Sequence, residues 1–350
     1  MVGNAIATVV SAFAAVTETG LGLLAESRSF GDNYRYLLHG IVAIITPTGS
    51  TVINRGRIAI FTDDPGWHGK QLRLAFADLG YSSDYVSLTN CCFTIESGQN
   101  PIVIPGFEQA LPDAAFVRGV PGGSLEEVVH YLDILHALKV MNIPVYNDGR
   151  AVERSVDKGM TSFLLHNAGL PTPLTWVLRN RADALSIAES ELKKGHLLIS
   201  KPLFGSQGEG IRRIEKMTDL FWLTSSHGVY YLQRFVHCAG VGFSDNRVFV
   251  VNGRAVASMR RRGKSWLNNV ARGASCERID LDAEMAELAV KATAALAMDY
   301  AGVDIIQDKD GHYTIIEVNS IPAWKGLESV CDITIAEGLA DDLINRYLTI

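Results

Sequence analysis

Residues 301–322 read AGVDIIQDKDGHYTIIEVNSIP: two runs of apolar and β-branched residues around a glycine-bearing turn, the pattern of a β-hairpin. Asp304 falls on the first strand. Glu317 and Asn319 stand two apart on the second, so this pair projects from one face. If the strands pair in register, three oxygen-bearing side chains converge among apolar neighbours, where an uncompensated carboxylate is costly. Mg²⁺ holding nucleotide phosphates would compensate it, because that ion prefers hard oxygen ligands. A salt-bridged or exposed strand pair is the alternative.

About a hundred residues upstream, KPLFGSQGEG (201–210) places three glycines beside a lysine. This is either a long hairpin loop or a flap. In a flap, the backbone N–H groups of Gly205, Ser206, Gln207, Gly208 and Gly210 would close over phosphate oxygens, with Lys201 adding charge. The Walker pattern G-x-x-x-x-G-K-[ST] is missing from the sequence. The basic run RRRGK (260–264), with Arg247 and Arg272, suits an anionic substrate or intermediate, or else is a solvated charge run.

Working outward, RIAIF (57–61) and the amphipathic stretch Lys70–Leu79 read as strand, loop and helix, opening a lobe of parallel strands. PIVIPG and AAFVRGV add short apolar runs. The helix SLEEVVHYLDILHALKV follows, with Ser124 and Glu127 as a capping box, and IPVYND closes the lobe near Asp148. SVDKGMTSFLLHNAGLPTP reads as a linker helix, with Ser155 as candidate cap and Gly169 at its end. Paired strands dominate thereafter (HLLISKP with GIRRI, VYYLQRFV, NRVFVVNG with AVASMRR), and AEMAELAVKATAALAM is a long helix before the final hairpin. The second half is therefore expected to be α+β with antiparallel sheets. The implied divisions are a poorly specified extension over 1–56, helical near AIATVVSAFAAV, an α/β lobe over 57–150, and α+β subdomains over 151–236 and 237–350.

Composition narrows the function. With 47% hydrophobic and 20% charged residues and a net charge of −6, the chain is a folded, acidic protein and not a general nucleic-acid binder. The five cysteines, Cys91, Cys92, Cys238, Cys276 and Cys331, show no C-x-x-C spacing, which points to reduced thiols in the cytoplasm and to neither a zinc site nor a disulfide framework. The apolar run Ala5–Val16 is too short to span a bilayer, so no membrane association is expected.

Taken in order, SVDKGMTSFLLHNAGLPTP, LLISKPLFGSQGEGI, YYLQRFV, DNRVFVVNGRAVASMRRR, NNVARGA, AGVDII and IIEVNSIPAWKGLE resemble an ATP-grasp carboxylate–amine ligase of the RimK-like α-L-glutamate ligase family. The resemblance is dense from about Asn147 onward and weaker from Arg57 to Asp148. It implies the ATP-grasp fold, an N-terminal parallel α/β lobe followed by two α+β subdomains that clasp ATP.

Roles follow from the resemblance. Lys158 and Lys201 match phosphate-contacting lysines, and Gly205–Gly210 the phosphate flap. Gln233, Arg234, Phe235 and Val236 match the hinge that reads adenine through main-chain groups. Asp304, Glu317 and Asn319 match the ligands of two Mg²⁺ ions, with Mn²⁺ as an alternative. Arg272, with Lys201, matches the catalytic cations that hold the transferred phosphate. Arg118, Arg247, Arg260, Arg261 and Arg262 are candidates for binding substrate carboxylates, or for structural salt bridges. Two departures stand out: Arg234 replaces a customary hinge glutamate, and MRRRGK and NNVARG differ from the ribosomal-protein-modifying member on the acceptor side.

The implied reaction activates a carboxylate with ATP and joins it to an amino acid, by resemblance L-glutamate. A pterin or furan one-carbon coenzyme is the expected acceptor, in a cytoplasmic enzyme compatible with a homo-oligomer. The rivals are a ribosomal-protein C-terminus as acceptor, a ligase joining cysteine, glycine or D-alanine, and a non-catalytic nucleotide-binding module.

Overall fold

The computed structural model describes the backbone at 27–30, 33–38, 41–45 and 51–54, and residues 55–349 apart from 99, 206–207, 241 and 268–272. In the extension, β1 (Ser27–Phe30), β2 (Asn33–Leu38), β3 (Ile41–Ile45) and β4 (Thr51–Asn54) form an antiparallel sheet in chain order. Sequence reading did not resolve these strands. The helix expected near Ala5–Val16 lies outside the described residues.

The first lobe is parallel, as its strand-loop-helix pattern requires. Its strands are β5 (Gly56–Phe61), β6 (Tyr81–Val86), β9 (Ala114–Val117) and β10 (Val145–Tyr146), in the order β10-β9-β5-β6. Ile58–Phe61 and Ala114–Val117 are fully buried, because helices cover both faces of such a sheet. Those helices include α1 (Gly66–Asp78) and α2 (Leu125–Val140). The PIVIPG run does not join this sheet; β7 (Cys92–Phe93) and β8 (Ile102–Val103) make a separate two-stranded ladder. At the start of α2, the Ser124 hydroxyl accepts the Glu127 N–H at 3.3 Å and the Glu127 carboxylate accepts the Ser124 N–H at 2.7 Å. A box of this kind stabilises a helix by about 1 kcal/mol.

The linker is two helices, α3 (Gly149–Val156) and α4 (Lys158–Asn167), and this corrects the expected cap. Asp157, not Ser155, begins α4: its carboxylate accepts the N–H groups of Gly159 (2.8 Å) and Met160 (3.0 Å). Ser155 sits in the last turn of α3, where its hydroxyl donates to Val152 O at 2.9 Å. The helix ends as the sequence foretells. Gly169, at φ 70°, donates to His166 O, and Leu170 donates to Leu165 O, the two bonds of a Schellman cap.

Beyond it, β11 (Thr175–Leu178), β12 (Leu198–Lys201), β13 (Arg212–Ile214) and β14 (Tyr230–Arg234) form an antiparallel sheet in the order β11-β14-β12-β13. Helix α5 (Arg181–Lys193) covers one face, packing Ala184 and Ala188 against Leu198, Ile214 and Leu232. The last sheet has the order β17-β16-β15-β18-β19. Its strands are β15 (Phe243–Val251), β16 (Arg254–Gly263), β17 (Ser275–Arg278), β18 (Tyr300–Gln307) and β19 (Tyr313–Asn319). Helix α6 (Ala283–Ala295) packs Met285, Ala289 and Ala292 on the face that carries Val248, Val303 and Val318. On the other face, Phe249 and Tyr300 share a core with Ile58, Ile60 and Phe116 of the first lobe. Chain termination is helical, α7 (Lys325–Glu328) and α8 (Ile335–Tyr347), and α8 joins that core through Leu339 and Leu343.

Buried Asn147 locks these units together. Its amide donates to Tyr300 O and Ser320 O, both at 2.8 Å, and accepts the Asp299 N–H at 2.7 Å. The end of the first lobe is thereby fixed to β18 and to the segment leaving β19. No helix among the described residues is long and apolar enough to cross a membrane.

Candidate active site

A cleft of about 550 Å³, including its open mouth, lies between the two antiparallel sheets. Lys158, Lys201, Gly205, Gly208, Tyr231 and Glu317 line it. Register explains why they meet. Lys201 pairs with Tyr231 and Ile199 with Gln233, so Lys201, Tyr231 and Gln233 share the face of the β12–β14 ladder that α5 leaves uncovered. Lys201 Nζ donates to Gln233 Oε1 at 2.8 Å and lies 5.8 Å from the centre of the Tyr231 ring. Gln233 in turn donates to Tyr231 OH (3.0 Å) and Thr175 Oγ1 (3.1 Å). Lys158, the first residue of α4, donates to Gly205 O at 2.7 Å.

Burial pushes the Lys201 amine down to about 8, with Glu317 opposing the shift and Lys158 adding to it. Lys158 is lowered too, again by burial first, with Glu317 and Asp157 opposing. Two cations are thus held close together without a salt-bridge partner among the described residues, an arrangement that phosphate oxygens would relieve.

Above them, the β12–β13 loop turns on Gly205 (φ 131°), Gly208 (φ 75°) and Gly210 (φ 69°), all in backbone conformations that favour glycine. A Cβ on Gly210 would lie 2.7 Å from Pro202 Cγ, and one on Gly208 would lie 3.0 Å from a Leu267 methyl. The loop therefore packs on the segment after β16 with no room to spare. Ser206 and Gln207 lie outside the described residues, as does Arg272.

Below the lysines, the final hairpin is in register. Asp304 stands opposite Glu317 and Gly302 opposite Asn319, so all three oxygen-bearing side chains project from one face. Asp304 is not left open, however. Arg247 Nε donates to Oδ1 at 2.7 Å, Arg247 Nη2 to Oδ2 at 2.8 Å and Arg261 Nη2 to Oδ2 at 2.9 Å. The arginines hold its carboxyl below the usual range although burial, the largest influence, pushes upward.

These residues fit a divalent cation. A carboxylate offers about four acceptor positions. Three on Asp304 are used, which leaves one on Oδ1. Glu317 accepts no hydrogen bond among the described residues, and Asn319 uses its amide nitrogen on Gly302 O at 3.3 Å, keeping its oxygen available. Three hard oxygens on one sheet face, beside two lysines, are a donor set for Mg²⁺ next to phosphate.

The remaining arginines divide. Arg247 and Arg261 belong to the Asp304 network. Arg260 donates to Asn246 Oδ1 at 3.2 Å, and Arg262 pairs with Glu277 at 2.9 Å on the exposed sheet edge. Arg118 is enclosed: it donates to Ile321 O at 3.4 Å and lies 5.1 Å from the Trp324 ring. His68 accepts the N–H groups of Trp324 (3.1 Å) and Lys325 (3.3 Å) and is pushed down to about 4 by burial, then by Arg118 and Lys325. Arg118 and Lys325, the latter six residues past Asn319, thus flank a neutral histidine. His68, Trp324 and Lys325 were not singled out in the sequence, although AWK begins only four residues past Asn319.

At the hinge, strand alternation sends Arg234 to the face opposite Gln233. There Arg234 Nε donates to buried Glu191 at 2.6 Å. Its side chain therefore points away from the cleft. The N–H groups of Arg234 and Phe235 are already bonded to Leu174 O and Leu197 O, both at 2.9 Å. Val236 N–H makes no such bond among the described residues, so of the three N–H groups at this turn it is the one left open to a ligand.

A model of the RimK-like ATP-grasp domain matches residues 155–343. By sequence, the chain is 36% identical over 242 residues to the tetrahydromethanopterin:alpha-L-glutamate ligase of Methanocaldococcus jannaschii, covering 66% of this chain and 79% of that protein. It is 26% identical over 292 residues to the alpha-aminoadipate–LysW ligase LysX of Saccharolobus solfataricus, covering 79% and 97%. By structure, it matches the ATP-grasp ligase PsnB complexed with minimal precursor, Mg and ADP. The TM-score is 0.63 at 19% identity, over 83% of this chain and 98% of that one, a likeness of fold.

Proposed function

The chain belongs to the RimK-like ATP-grasp family, and from that premise we propose that it joins L-glutamate to a carboxylate on a small pterin-type coenzyme. As a member of the family it is an ATP- and Mg²⁺-dependent, ADP-forming carboxylate–amine ligase. The observation that carries the assignment of the site is Glu317, which lies in one cleft with Lys158 and Lys201 while standing opposite Asp304 across the hairpin.

A carboxylate is a poor electrophile. Phosphoryl transfer from ATP converts it to an acyl phosphate, and the amine then attacks the acyl carbon as phosphate leaves. Lys158 and Lys201 neutralise the terminal phosphates, and Arg272 is proposed to hold the transferred group. The glycine loop, Ser206 and Gln207 included, closes over the nucleotide and keeps water from the acyl phosphate. Gln233 fixes the Lys201 ammonium, and Val236 supplies the donor to adenine. Asp304, Glu317 and Asn319 would hold Mg²⁺, as two ions replaceable by Mn²⁺, which when bound neutralise charge on the phosphates. Arg118 and Lys325 supply positive charge for a carboxylate of the incoming amino acid. Arg260 and Arg262 keep structural partners and are not assigned to substrate.

The test is incubation with MgATP, L-glutamate and a panel of reduced pterins, deazaflavin-type coenzymes and carrier-protein tails bearing free carboxylates. Glutamate-dependent phosphate release, with a glutamyl mass increase on a pterin, is the expected result. Glutamylation of a protein tail alone would move the acceptor to the macromolecular class. ATP binding without turnover across the panel would remove the ligase assignment.

A further inference from the structure

Arg261 is held by two carboxylates. On the five-stranded sheet, Arg261 pairs with Asp245 across β15 and β16, Arg247 with Asp304 across β15 and β18, and Asp304 with Glu317 across β18 and β19. These side chains form a stepped row on one face, moving from Asp245 to Arg247 along β15. Arg261 donates through Nε to Asp245 Oδ1 at 3.2 Å, makes a second contact through Nη2 with Asp245 Oδ2, and reaches Asp304 Oδ2 at 2.9 Å. The Asp245 and Arg261 side chains are only 12% and 6% exposed, so water screens this row weakly.

Charge decides what the row can bind. Arg247 and Arg261 against Asp245 and Asp304 sum to zero, so Glu317 leaves the neighbourhood with one net negative charge facing a divalent cation. Without the charge on Asp245, the four-residue row becomes positive, and Asp304 is left as the carboxylate of the row that faces both buried guanidinium groups. We propose that Asp245 is a positioning residue for the metal site. By taking up the charge of Arg261, it keeps the free Oδ1 position of Asp304 available to a divalent cation. Asp245 itself does not line the nucleotide cleft. The inference rests on the ligase reading of that cleft and adds a residue outside its expected ligand set.

The experiment titrates Mn²⁺ into the full-length protein with a non-hydrolysable β,γ-imido analogue of ATP, following free Mn²⁺ by electron paramagnetic resonance. Asp245→Asn is expected to weaken Mn²⁺ binding by about tenfold or more, from a full charge acting at short range in a medium of intermediate dielectric. Arg261→Gln is expected not to weaken it, and the double variant to return to within about threefold of wild type, because the row is neutral again. A purely structural role predicts a different pattern: both single variants weaken binding and the double variant is no better than the worse single. That pattern, or an unchanged affinity in Asp245→Asn, overturns the proposal. If Asp245→Asn does not fold, Arg261→Gln and the double variant decide it, since binding weakened in both is the structural outcome. A wild-type protein that binds no Mn²⁺–nucleotide would defeat the ligase reading itself, a result separate from equal binding by wild type and Asp245→Asn.

Discussion

Glu317 on β19 stands directly opposite Asp304 on β18, yet only Asp304 is held by arginines; the Glu317 carboxylate faces Lys158 and Lys201 across the cleft. A carboxylate that accepts no hydrogen bond among the described residues and faces two lysines is poised for a cation. Glu317→Gln keeps the shape and removes the charge. We expect turnover to fall by about 10²–10³-fold or more, with the melting temperature within a few degrees of wild type, because no ion pair among the described residues is broken. Phosphate-release kinetics and thermal melting check both halves, and near-normal turnover would remove Glu317 from the site.

Lys201 gives a pH signature. Its folded value of about 8 lies below the unfolded value of about 10.4, burial being the largest cause. Between these values the unfolded chain binds more protons, so the contribution of Lys201 makes stability rise with pH across that window. Binding moves the opposite way. Phosphate favours the charged amine, so the free protein must take up a proton above about pH 8. The Kd of an ATP analogue should then rise with pH by up to about tenfold per unit, and Lys201→Met should flatten the profile. Calorimetric titration at several pH values reads this directly, and a Kd independent of pH between 8 and 10 would exclude the role.

The loop makes a prediction about coupling. Gly210→Ala places a Cβ 2.7 Å from Pro202 Cγ at φ 69°, so the loop must shift to accept it. A loop that closes poorly admits water to the acyl phosphate. ATP consumed per product formed should rise well above one, while the Kd for nucleotide changes by less than about tenfold. Comparing phosphate release with product mass measures the ratio, and a ratio of one in the variant would show that the loop does not protect the intermediate.

Much of this site was legible in the residues because it depends on local periodicity. The hairpin that carries Asp304, Glu317 and Asn319 is written in alternating β-branched residues around DKDG, and the glycines of 205–210 mark positions of positive φ. What was not legible depends on which strands become neighbours. The grip of Arg247 and Arg261 on Asp304 follows from β15 lying between β16 and β18, a pairing no local pattern encodes. The misplaced cap is a smaller case of the same kind. Ser155 and Asp157 are both good caps, and what favours Asp157 is that α3 ends one residue before α4 begins. His68 escaped notice because its partners, the N–H groups of Trp324 and Lys325, lie about 256 positions away in the chain.

Arg234, where the family customarily has a glutamate, separates stability from nucleotide binding. Its guanidinium reaches Glu191, which packs in α5 behind the sheet and is pulled down to about 2, chiefly by the Arg234 hydrogen bond and then, against burial, by Lys194 and His196. Because the folded value lies below the ordinary carboxylate range, this stabilisation is present above about pH 4.5 and is lost as pH falls towards 2. Arg234→Ala leaves Glu191 with Lys194 and His196 and should lower stability by about 1–2 kcal/mol, a discounted value because the arginine is one-third exposed. The loss should shrink in acid. Affinity for an ATP analogue should stay within about threefold of wild type, because the side chain lies on the sheet face away from the cleft. Urea unfolding at pH 7 and pH 3, alongside calorimetric titration at pH 7, separates the effects. A large loss of nucleotide affinity with unchanged stability would mean that the residue faces the nucleotide.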